Sequence, residues 1–236
     1  MKKTDPAGSA VLLFLLTECI LYVSFLVLDL TSSSGLLSTI LKYCSILLCF
    51  FFGLMYGKTK DRILVISALG LTAAADVFLL LLDTNYPAGV LCFCGVQMLY
   101  YCRLLRSGGF AFLPFLPVRF LLTGCMFVFL GILHTWNLLT AAGVFYFTQL
   151  LFNAAESLAV RRINLQHRLF SAGLILFLCC DICVGLFNLS PAAPFSVPEP
   201  VLSFAQNGMW FFYLPSQVLI TLSILQDYPS CTSESS

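Results

Sequence analysis

The chain has 236 residues, of which 60% are apolar and only 10% charged, with a formal net charge of +1 and a mean hydropathy of +0.97. A soluble domain carries about 25% charged residues, so this composition excludes an ordinary globular enzyme and predicts an all-α, polytopic membrane protein. With no basic run longer than two residues, it also excludes nucleic acid as a partner.

Apolar windows of roughly 20 residues predict eight spans. They lie near residues 10–30, 36–56, 63–82, 88–107, 111–133, 138–157, 169–188 and 207–226. The first is read as a membrane helix and not a cleaved leader, because its apolar run is too long and no small-x-small site precedes Ser32. The connections are short except Ser190–Gln206, where Pro191, Pro194, Pro198 and Pro200 exclude a helix interior. Residues 1–226 then form a single eight-span domain, and residues 227–236 a polar tail.

Charge fixes the expected orientation. Lys2, Lys3, Lys58, Lys60, Arg62, Arg103, Arg106, Arg119, Arg161, Arg162 and Arg168 all fall on one side, which is eleven of the twelve basic residues. The positive-inside rule makes that side, and both termini, cytoplasmic. The expected home is a plasma membrane, taken as bacterial. The exception is Lys42, inside the second span.

The polar residues within the spans carry the functional reading. Counted at about 1.5 Å per residue, Asp76 lies roughly 9 Å and Asp181 roughly 10 Å inside the outer ends of spans three and seven, with Lys42 at a similar depth. Glu18, Gln97, Gln149, Asn153, Tyr213 and Gln217 lie nearer the midplane. Glu156 is expected to pair with Arg161 or to snorkel, and Asp29 to reach the headgroups. The bland reading of Asp76 and Asp181 is a buried ion pair with Lys42. One lysine cannot neutralise two aspartates, and an intramembrane ionisable cluster is by default a site. The two aspartates are therefore expected to converge on a shared polar pocket.

A faint internal echo supports this. Ala75-Asp76 in span three and Cys180-Asp181 in span seven each precede an outer loop and then a span with a central glutamine, Gln97 or Gln217. A 4+4 parallel pseudo-repeat would set the two aspartates across its axis.

Other chemistries find no support. There is no GxSxG, HExxH, P-loop or GxGxxG pattern. The only two histidines, His134 and His167, fall at span ends on opposite sides, so neither a metal nor another cofactor is expected. Ten of the eleven cysteines lie in apolar runs and read as small packing residues.

Several of these residues, in order, resemble the YhhN-like membrane family, which includes the lysoplasmalogenases. They are Lys42; Ala75-Asp76 with Leu79; Gly89, Phe93 and Tyr100; Cys180-Asp181; and Tyr213 through Gln217. The likeness runs from about Lys42 to Ser223. The chain departs from the family pattern at Tyr43, Ala75, Gln97 and Cys180, where members usually carry Pro, Gly, His and Ser. The resemblance implies hydrolysis of the vinyl ether bond of a lysophospholipid-like substrate, lysoplasmalogen, to a fatty aldehyde and a glycerophospho head group. It implies Asp76 and Asp181 as the catalytic pair, with Lys42, Gln97, Tyr100, Tyr213 and Gln217 around the substrate. The alternative reading is a lipid- or amphiphile-binding or transporting protein without hydrolase activity.

Overall fold

The computed structural model describes residues 6–31, 35–108, 115–132, 134–159, 164–189 and 198–225. The polar tail at 227–236, Arg161, Arg162 and most of the loop after Ser190 lie outside these. The described residues form eight α-helices and no strands. They are α1 (Pro6–Leu30), α2 (Gly35–Tyr56), α3 (Arg62–Asp76), α4 (Tyr86–Gly108), α5 (Phe115–Ile132), α6 (Leu138–Ala159), α7 (Leu165–Leu189) and α8 (Glu199–Leu222). A π-helical turn, Val77–Leu81, continues α3 beyond Asp76.

Six helices are long and apolar enough to cross a membrane: α1, α2, α3 with its π-helical turn, α4, α6 and α7. The apolar part of α5, Leu116–Ile132, is shorter, and α8 carries a polar face of Tyr213, Ser216, Gln217 and Thr221. Exposed leucine, isoleucine, valine and phenylalanine side chains cover the outside of α1 and α5. That surface suits hydrocarbon and not water.

The helix ends follow local chemistry. Asn137 caps α6 reciprocally, its side chain accepting from the Thr140 N–H at 2.9 Å while its own N–H donates to the Thr140 hydroxyl at 3.1 Å. Asn164 caps α7 through the His167 N–H at 2.8 Å. One expected boundary is corrected: α8 begins at Glu199, not near residue 207, with Pro198 at its N-cap and Pro200 in its first turn. Proline is tolerated there because the first turn's N–H groups have no intrahelical partner.

Six helices form a closed circuit in which α2, α3, α4, α6, α7 and α8 each touch the next, and α8 returns to α2. Helix α1 packs outside on α2 and α8, and α5 on α6. Shifting every helix number by four maps most of this pattern onto itself; the α1–α8 packing has a counterpart between α5 and α4 only in Arg119 on the Tyr101 ring. The α1–α2, α2–α3, α3–α4 and α2–α8 contacts become α5–α6, α6–α7, α7–α8 and α6–α4. The α3–α8 contact becomes α7–α4, where Phe93 meets Phe177 and Tyr100 meets Phe170. The bundle thus has the helix-pairing pattern of a 4+4 parallel repeat.

Close approach of α7 and α8 depends on Gly173. A Cβ there would stand 2.6 Å from Ile220 Cγ1 and 3.1 Å from the Ser216 carbonyl oxygen. Small residues at such crossings let membrane helices approach backbone to backbone.

Candidate functional site

Asp76 ends the α-helical part of α3, one residue before the π-helical turn. Turns of this kind inside helices occur frequently at functional sites. Its carboxylate is 4% exposed and accepts from the Tyr213 hydroxyl of α8 at 2.9 and 3.1 Å. Tyr43 of α2 lies within electrostatic reach of the same carboxylate.

Asp181 occupies the equivalent place on α7. The Tyr146 hydroxyl of α6 faces it. No hydrogen bond is formed, however, because Tyr146 Oη and Asp181 Oδ2 are both buried without a partner. The two aspartates share surroundings: the Tyr213 hydroxyl and the Cys180 thiol each lie within electrostatic reach of both. Among the described residues no basic side chain lies within ion-pair distance of either carboxylate.

Aromatic rings fill the space around the pair. Tyr146 packs on Phe93 at 5.5 Å between centroids, Phe93 on Phe177 at 5.8 Å, Phe177 on Tyr213 at 5.7 Å, and Tyr213 on Trp210 at 5.3 Å. Such edge and tilted contacts hold the rings rigidly and offer their faces to a developing cation.

Lys42 is a correction. It does not pair with Asp76 or Asp181. Its ammonium sits 2.8 Å from Asp29 of α1 and 4.6 Å from the centre of the Trp210 ring, with Phe25 at 5.7 Å. The four-carbon stem of lysine carries the charge toward the helix end, where Asp29 waits on the adjacent helix. Through Trp210 it still borders the aspartate layer. Glu156 is a second correction. It pairs at 2.9 Å with Arg119 of α5, and Arg119 is buried inside the bundle instead of flanking a loop.

Gln97 stands apart from the aspartates. Its side-chain oxygen accepts from Asn153 of α6 at 3.0 Å, and Asn153 in turn accepts from Arg119 at 3.1 Å. Tyr100 and Gln217 are fully buried, and Gln217 lies one helical turn from Tyr213 toward the basic-loop end. Two cavities, of about 400 and 270 Å³, open at the basic-loop end, beside Lys58, Lys60 and Gln166 and beside His167, Arg168 and Ser171; neither is lined by an aspartate of the pair.

Tyr146 is a site residue that the sequence reading passes over. Its signal was present, since Tyr146, Gln149, Asn153 and Glu156 fall at helical spacing on one face of α6. Thr72, four residues before Asp76, shares the aspartate's face of α3.

The bundle is therefore a polytopic helical membrane protein with two carboxylates, Asp76 buried and Asp181 partly exposed, at corresponding places on α3 and α7. The YhhN family matches residues 37–224, and the chain belongs to that family. No curated protein and no solved structure matches the chain.

Proposed function

We propose that this protein is an intramembrane hydrolase of the lysoplasmalogenase type, cleaving the vinyl ether of a lysophospholipid. The observation that carries the reading is the environment of the aspartates. Asp76 and Asp181 converge on Tyr213 and Cys180, and the lysine that would make them an ordinary ion pair is engaged by Asp29.

A vinyl ether is electron-rich at its β-carbon. A carboxylic acid donates a proton to that carbon and an oxocarbenium ion forms at the α-carbon. A carboxylate takes a proton from water as the water adds, and the resulting hemiacetal collapses to aldehyde and alcohol. One water is consumed. Paired carboxyl groups serve the same split of roles at the oxocarbenium-like transition states of glycosidases. The rings of Tyr146, Phe177 and Tyr213 would face the developing positive charge. Lys42 and Trp210 would hold the phospho-ammonium head, while Gln97, Tyr100 and Gln217 line the deeper end. Both termini would be cytoplasmic, placing the pair in the outer half of the membrane.

The test uses purified protein in lipid nanodiscs with a vinyl-ether lysophospholipid, measuring released aldehyde. Wild type should release it, and Asp76→Asn and Asp181→Asn should each lower kcat by roughly 10²–10⁴-fold. Equal release from wild type and the double variant rejects the reading. The parallel arrangement of the two halves supports a second one, an amphiphile-binding or transporting protein. Transfer of intact lysolipid between vesicles without aldehyde would support that instead.

A further inference from the structure

A second group of buried polar atoms lies one turn deeper than the aspartates, toward the basic-loop end. Glu18 of α1, outside the segment matched by the family, is 3% exposed. Its Oε1 accepts only from the Cys49 thiol, at 3.4 Å, and its Oε2 has no partner. Ser45 stands beside the same carboxyl, and its hydroxyl makes no formed hydrogen bond. Cys49 in turn lies against Thr221 of α8 and within electrostatic reach of Tyr100 of α4.

The Tyr100 hydroxyl, the Gln217 side-chain oxygen and the Thr72 hydroxyl are also buried without partners, and all three residues are fully enclosed. Native proteins leave few buried polar groups unmet, and several unmet groups in one region call for bound water. The composition selects water over a lipid head. Hydroxyl, thiol and amide groups around a single acid bring no positive charge to a phosphate, and Glu18 would repel one.

The group connects to the aspartates. Thr72 is one turn from Asp76 on the same face of α3, and Gln217 one turn from Tyr213 on α8. A turn separates such side chains by about 5–6 Å, a gap bridged by one or two hydrogen-bonded waters. We propose that Glu18 anchors a line of buried waters that runs past Ser45, Tyr100, Gln217 and Thr72 to Asp76. Resting on the hydrolase reading, this line supplies the water consumed at the aspartate pair, which the lipid-facing flank of the bundle cannot supply.

Radiolytic hydroxyl-radical footprinting in ¹⁸O-water tests the line independently of activity. Radicals form on bound water and mark the side chains that touch it. In wild type in nanodiscs, Cys49 and Tyr100 should take up ¹⁸O severalfold faster than the equally buried Phe170, after correction for intrinsic reactivity. Glu18→Leu should remove most of the labelling at Cys49. Where that variant does not fold, Glu18→Gln should reduce it in the same direction. Labelling of Cys49 and Tyr100 no faster than Phe170, or unchanged in the Glu18 variants, overturns the proposal. Aldehyde release separates the two readings. A wild type that releases none sinks the hydrolase while the footprint still decides the water line. An active wild type whose kcat survives Glu18→Leu shows that the line is not the supply route.

Discussion

Helices α1 and α5 hold equivalent places in the two halves, and each inserts one charged side chain into the bundle. Arg119 of α5 is well served at both terminal nitrogens, though its Nε has no partner. It donates to Gln149 at 2.7 Å and Asn153 at 3.1 Å, pairs with Glu156, and lies 4.1 Å from the centre of the Tyr101 ring. Glu18 of α1 meets one thiol and leaves an oxygen unmet. Burial is the same in both cases, at 3% exposure. The difference is that Arg119 has a carboxylate and two amide oxygens as partners, while Glu18 has no cation. A met polar network rigidifies the helices that contribute to it, while an unmet one in a stable fold points to chemistry or bound water. By this measure the Arg119 cluster is structural. On the proposed function, the working face runs from Asp181 through Tyr213 and Asp76 down to Glu18.

The largest effect should therefore fall on the Arg119 cluster. Arg119→Ala leaves Glu156 buried without its cation and should cost about 3–5 kcal/mol of stability, the usual loss when one member of a buried pair is removed. Thermal unfolding in detergent measures it. A loss comparable to that of an exposed arginine would mean that the network is solvated and the contrast with Glu18 is false.

A smaller effect should come from the aspartate layer. Tyr213→Phe removes the hydroxyl that meets both oxygens of Asp76 and should cost about 1–3 kcal/mol, because a buried acceptor is stranded. Adding Asp76→Leu to Tyr213→Phe should recover most of that stability while abolishing activity, since replacing both partners with apolar groups is nearly neutral. Continued loss in the double variant would make Asp76 a structural residue.

Much of this arrangement was legible in the sequence. A membrane helix needs a run of about 20 apolar residues, so each span announced itself, and depth counting placed Asp76 and Asp181 at one level. The echo between Ala75-Asp76 and Cys180-Asp181 matched their corresponding places on α3 and α7. What the sequence did not yield was the choice of partners. Lys42 and Asp29 lie on consecutive helices, and the reach of a lysine stem is not visible in a depth count. Arg119 read as a loop charge because its distance from the helix start was small, yet the stripe of Gln149, Asn153 and Glu156 on α6 was waiting for it. The start of α8 was misjudged because Pro198 and Pro200 look like a barrier, although the first turn of a helix accepts proline.

The smallest effect tests how far the comparison extends toward the membrane surface. The Lys42–Asp29 pair is also met: Lys42 lies against Trp210, and Ser38 donates to Asp29 at 2.5 Å. Yet its side chains keep 10% and 26% of their exposure, so water and headgroups compete with the pair. A double-mutant cycle of Lys42→Met and Asp29→Asn should give a coupling smaller than that of the Arg119–Glu156 pair, because Asp29 keeps partial exposure. Loss of Lys42 should instead show in KM for an anionic-phosphate lysolipid, with kcat little changed, because a group that holds the head contributes equally to ground and transition states. A coupling near that of the Arg119 cluster would place Lys42 in the rigid frame. A fall in kcat with KM unchanged would bring it next to the reacting bond, and the division between frame and site would have to be redrawn one turn further out.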